Sequence, residues 1–209
     1  MKLRKRKKAY DCSHHVFEDK EGGERMSMTV IYSNMRDEDC LVLQRAWRDI
    51  PNVNLIEITP ESTDWEDMVD DAVSRESDTL LFLGHGTEHG LLFPDFSRGE
   101  YILHENNVGL IHARNVVCCW CYASSFCAMH DLRAFATSMF ISNVSEALDN
   151  CIYGYCQEQI NSCGIVFYDE INGLLRHGVP LCEWVMRLGA HSDIENAIDM
   201  FNRQGLYFP

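Results

Sequence analysis

Short, mostly apolar runs alternate along this chain with stretches in which apolar residues recur every three or four positions. MTVIYS (28–33), DTLLFLG (78–84) and RNVVCCWC (114–121) are runs of the first kind, and VNLIEI (53–58) reads as a further strand. Apolar residues at successive positions suit strands buried on both faces of a parallel sheet. TSMFIS (137–142) reads as a fifth strand. Between the runs, DCLVLQRAWRDI (39–50) spaces Leu41, Val42, Ala46 and Trp47 as a helix does, and Pro51 closes it. STDWEDMVDDAVSRES (62–77) opens on Ser/Thr and acids and repeats Trp65, Met68, Val69, Ala72 and Val73 on one face. LLFPDF and EYILHE, flanking SRG, predict a small hairpin, and SSFCAMHDLRAFA predicts a helix. From about residue 144 the pattern is mostly helical, with a break at His177-Gly178-Val179-Pro180. Strand–helix alternation of this kind predicts an α/β fold of three layers, a mostly parallel central sheet flanked by helices.

Composition narrows the setting. The 209 residues suffice for one domain, about 26–209, behind a basic and polar leader at 1–25. Six of the 18 basic residues lie in MKLRKRKK, which leaves 12 against 32 acidic ones and a body charge near −20. Such a surface repels nucleic acid and anionic lipid and favours a basic protein or peptide partner. No apolar run reaches the ~20 residues of a membrane helix, and the basic leader is not followed by the apolar segment of a secretory signal. Ten cysteines without such a signal point to a reducing, cytoplasmic setting in which most are small core residues. Their spacing matches neither a disulfide framework nor paired C-x-x-C zinc ligands.

Candidate chemistry begins at TLLFLGHGTEHGLLF (79–93), where His85, Glu88 and His89 spell H-x-x-E-H. That motif binds zinc only on a helix, which puts residues four apart on one face. Gly84, Gly86 and Gly90 mark a turn instead, so the expectation is no metal. What remains is a histidine at the carboxyl end of a parallel strand, where open α/β sheets bind their ligands. The next strand ends in Cys121, just before a helix whose N-terminal partial charge is expected to favour the thiolate. If the two strands are neighbours, His85 and Cys121 form a base and a nucleophile. Beside them, the unobstructed backbone N–H of Gly86 can help hold an oxyanion.

An apolar strand ending in His-Gly, then an apolar strand ending in Cys 36 positions later, resembles the caspase-like (clan CD) cysteine peptidases. That group includes caspases, metacaspases, gingipains, legumain, separase and the bacterial CHAT-type peptidases, and LLFLGHG…NVVCCWCYAS is most similar in flavour to the last. The likeness spans about residues 28–145. It implies a caspase-like fold and a thiol protease with no cofactor, with His85 and Cys121 as the catalytic dyad. The backbone of Gly86 and Cys121 would be the oxyanion hole, with a possible regulatory protein partner. One departure is that metacaspases carry an acid two residues before the nucleophile, where this chain has Cys119.

Cys118, Cys119 and Cys127 compete with Cys121 for the nucleophile's role, and the strand's last cysteine fits the family pattern. Two other function classes stay open. One is a catalytically inactive caspase-like interaction module; the other is a thiol-disulfide oxidoreductase using Cys118-x-x-Cys121. In caspase-like folds the loop after the first strand helps line the pocket for the residue preceding the cut. Here it is SNMRDEDC, with Arg36 to meet an acidic side chain, or Asp37, Glu38 and Asp39 to meet a basic one. Asp37 and Asp39 are therefore the substrate-binding candidates, and cleavage after Arg or Lys is the expectation.

Overall fold

The computed structural model describes residues 27–209 other than Ile194; the leader expected at 1–25 lies outside them. The first half runs β1 (Met28–Ser33), α1 (Glu38–Leu43), β2 (Val53–Ile58), α2 (Trp65–Ser74) and β3 (Thr79–Leu83). Three short strands follow, β4 (Gly86–Thr87), β5 (Gly90–Leu92) and β6 (Tyr101–Leu103), then β7 (Asn115–Cys119), α3 (Ala123–Met129) and β8 (Phe135–Ala136). The rest is helical: α4 (Val144–Asp149), α5 (Gln157–Arg176), α6 (Leu181–Ala190) and α7 (Ala197–Gln204).

Five strands form one sheet in the order β2-β1-β3-β7-β8, with every pairing parallel. The fold is thus α/β, with a parallel five-stranded sheet and flanking helices. Its central strands are buried at every position because successive side chains enter opposite cores. Leu80 and Phe82 of β3, with Val116 and Cys118 of β7, meet α2, α3 and the small hairpin sheet. Leu81 and Leu83, with Val117 and Cys119, meet α1, α5 and α6 on the other face. Each such Leu or Phe contributes about 2–3 kcal/mol by leaving water. A smaller cluster, built on Ile141, Ala147, Ile160 and Ile198, holds α4 and α7 to α5.

The fifth strand is not TSMFIS but Phe135–Ala136, just before it. The chain leaves the sheet after Ala136 because the next polar groups turn inward onto the Cys118–Ser124 backbone. Thr137 Oγ1 donates to Trp120 O (2.8 Å), and Thr137 O accepts from Ser124 N (2.8 Å). Phe140 and Ile141 are then buried in different clusters. Beyond β8, Tyr207 closes the edge through an antiparallel bridge to Ala136. No helix among the described residues is long and apolar enough to cross a membrane.

The order of strands decides where a ligand can sit. The connection leaving β1 runs to one side of the sheet and that leaving β3 to the other, so their carboxyl ends flank a crevice.

Candidate active site

Three segments meet at that crevice: Asn34–Asp37 after β1, Gly84–Gly86 after β3, and Trp120–Tyr122 after β7. Gly84 lets the first two converge. Its φ of +153° is a region side chains avoid, and a Cβ there would lie 2.6 Å from Ser33 Cβ. Ser33 Oγ also donates to Leu92 O (2.7 Å), and Leu92 N to His85 O (2.9 Å), so the hairpin is tied to both strand ends.

His85 is one-fifth exposed, and its Nε2 lies 2.8 Å from Asp37 Oδ2. Asp37 is fixed in turn as the N-cap of α1, where its other oxygen accepts from Cys40 N at 2.8 Å. Burial pushes the Asp37 carboxyl up, but the Cys40 N–H, the Cys40 side chain and His85 outweigh it and leave it below the ordinary carboxylate value. An ionised carboxylate can only accept, so Nε2 carries the proton and Nδ1 is the ring atom left to act as a base. The Phe96 ring meets the imidazole edge-on, with centroids 5.7 Å apart.

Cys121 lines the same pocket as His85, with Asp39, Phe140, Ile141, Ser142 and Tyr168. At about 40 Å³ the pocket holds a water or two. The thiol donates to Phe140 O at 3.5 Å. Burial pushes it up to about 11; a backbone hydrogen bond at Phe140 works against this, and Glu146 and Asp39 add to the rise. The thiolate expected from a helix N-terminus is therefore not the resting state, since burial dominates, α3 has only seven residues, and Glu146 and Asp39 add to the rise. In limiting iodoacetamide at pH 7, exposed Cys151 and Cys156 should react before Cys121. Peptide mapping from pH 7 to 11 should show Cys121 labelling climb throughout, because the reactive thiolate grows as pH nears 11. Glu146→Gln should shift that climb to lower pH.

The rival cysteines are placed apart. Cys119 packs on the same face as Cys121 but is fully buried, whereas Cys118 lies in the opposite core beside Cys127. Cys118 and Cys121 thus do not face one another as a dithiol. His89 sits in the turn between β4 and β5, exposed, so H-x-x-E-H forms a hairpin and not a helix face.

Gly86 lies in β4 under the Trp120 indole, whose Nε1 donates to Thr87 O at 3.1 Å. A Cβ on Gly86 would come within 2.0 Å of that ring, so the glycine also serves close packing. Arg36 turns away to a bidentate pair with Glu61 (2.8 and 2.9 Å). Asp39 reaches Ser142 Oγ (2.8 Å), and Glu146 reaches the same hydroxyl (2.9 Å) and Ser142 N (2.7 Å). Trp120, Ser142 and Glu146 are the site residues the sequence reading missed. Only the acid of Asn-Val-Ser-Glu, opening a helix after an apolar run, hinted at one of them. The chain matches no family model, no curated protein and no solved structure.

Proposed function

We propose that this chain is a caspase-like cysteine endopeptidase, similar to the bacterial CHAT type, that cleaves after Arg or Lys. The observation that carries the reading is His85, held by Asp37, lining one pocket with Cys121 at the sheet's switch point. In this scheme Cys121 Sγ attacks the scissile carbonyl carbon as its proton passes to Nδ1 of His85. The backbone N–H groups of Gly86 and Cys121 receive the oxyanion. His85 then protonates the leaving amine and afterwards deprotonates the water that releases the acyl group.

A basic side chain is favoured by the two carboxylates on Ser142. One hydroxyl has one proton, so it can donate to Asp39 or to Glu146 but not to both. An entering cation supplies the missing positive charge. Asp37, engaged with His85, leaves Asp39 and Glu146 as the acids for that role. The pocket is narrow, and Phe140–Ser142 must move outward to admit a long side chain.

A fluorogenic peptide library tests this. Arg or Lys at the position before the cut should exceed every other residue by at least about tenfold, and Asp39→Asn should erase most of that preference. A preference for Asp or for small apolar residues overturns the specificity. The narrow pocket and protonated thiol favour one second reading, an interaction module without turnover, and complete silence of the library would support it.

A further inference from the structure

Below the Asp37–His85 pair lies a group that the proposed hydrolysis does not use. Cys40, in the first turn of α1, is fully buried, yet its sulfur shares a neighbourhood with the pair. The ligand atoms of Asp37, Cys40 and His85 all lie within 4.8 Å of one another. One sulfur, one imidazole nitrogen and one carboxylate oxygen is a donor set that suits zinc and related thiophilic divalent cations, and poorly suits calcium or magnesium.

Cys40 rests as a thiol, pushed up to about 12 by burial and donating to Ser33 O at 3.6 Å, so a cation must displace that proton. Met35 N donates to Cys40 Sγ at 3.4 Å, the kind of backbone N–H support that metal-bound sulfurs receive. Cys40 N holds Asp37 Oδ1 at 2.8 Å, which orients the other carboxylate oxygen, and Phe96 restrains the imidazole. Tetrahedral zinc with bonds of about 2.0–2.3 Å needs donors about 3.3–3.6 Å apart. Asp37 Oδ2 and His85 Nε2, at 2.8 Å, must spread by about half an ångström, and the sulfur must approach. Both outer side chains have room, being 39% and 20% exposed, and solvent can supply a fourth ligand.

We propose that Asp37, Cys40 and His85 form a binding site for a thiophilic divalent cation, zinc being the probe, whose occupancy switches the peptidase site off. The inhibitory half rests on the peptidase reading; the binding half does not. The proton balance gives the mechanism. The cation takes Nε2, so the imidazole proton moves to Nδ1, while the Cys40 thiol releases its proton to solvent. With Nδ1 protonated, His85 has no lone pair for the Cys121 proton, and attack stops. Binding should therefore weaken as pH falls, because one proton must leave for each cation bound.

The test uses the full chain, freed of metal, titrated with Co²⁺ and then with Zn²⁺. One Co²⁺ per chain should give an intense near-ultraviolet sulfur-to-metal band, which Zn²⁺ abolishes by displacement. Cys121→Ala should keep the band. Cys40→Ser should lose it, and Asp37→Asn, which retains the helix cap, should weaken binding at least tenfold. Circular dichroism of the Cys40 variant separates ligand loss from misfolding. No stoichiometric band, or a band lost in Cys121→Ala and kept in Cys40→Ser, overturns the site. If the band behaves as stated and no peptide is cleaved, the peptidase reading fails and the metal site stands. If peptides are cleaved, Zn²⁺ should inhibit the wild type, and at least tenfold more should be needed with Cys40→Ser. Undiminished cleavage with the site filled overturns the switch.

Discussion

Cys121→Ala should reduce peptide hydrolysis at least about 10³-fold, to the background of the assay, with little change in melting temperature. The size follows from the proposed role: in that scheme no acyl-enzyme forms without the sulfur, and the remaining groups would only orient water. The small change in stability follows from position, because Cys121 is only partly buried at a sheet edge. Cys118→Ala and Cys119→Ala are the necessary comparisons. Both thiols are fully buried, with burial raising them well above the ordinary value, so neither meets substrate. Each replacement should cost about 1 kcal/mol of stability through lost packing while most of the turnover survives. Activity surviving in Cys121→Ala at a tenth of wild type or more would remove this residue from the chemistry.

The second large effect belongs to Asp37, which has two separable duties. Asp37→Asn preserves the cap of α1, since asparagine caps as well as aspartate, but it withdraws the carboxylate that fixes the His85 tautomer. A fall in kcat of about 10²-fold or more is expected, with KM and melting temperature nearly unchanged. Asp37→Ala should lose the same activity and, in addition, about 1 kcal/mol of stability from the missing cap. The pH dependence has a definite sign. The folded carboxyl lies below its unfolded value, so its stabilising contribution is complete above the ordinary carboxylate range. It fades as pH falls through the depressed value, on the acid side of stability. Equal melting temperatures for the two variants, or an unchanged kcat in the asparagine variant, would contradict the division of labour.

Much of this fold was legible because its central strands are buried on both faces and mostly apolar. MTVIYS, VNLIEI and TLLFL appear as strands where the runs predict them, and Pro51 and Pro180 mark breaks between elements. The carboxyl-edge placement of His85 and Cys121 followed from the same runs. Electrostatics were not legible, because they depend on partners distant in sequence. The loop SNMRDEDC suggests a substrate role for Asp37 but gives no sign of its bond to a histidine 48 residues away. Asp39 meets Ser142, 103 residues away, through a loop that reads as a strand by composition alone. The thiolate expected of Cys121 failed because packing buries the sulfur, with Glu146 and Asp39 adding to the effect, and none of this is visible in a local reading of CCWCYASS.

The chain carries four tryptophans, and one of them is set where it can report on the hairpin. Trp120 is 2% exposed, with its ring over Gly86 and its indole N–H on Thr87 O. Lifting β4 away from the sheet would wet that ring and break its hydrogen bond in a single movement. The molecule thus contains its own optical probe. A red shift of its emission on adding a ligand would signal hairpin displacement without any attached dye, and Trp120→Phe identifies the source.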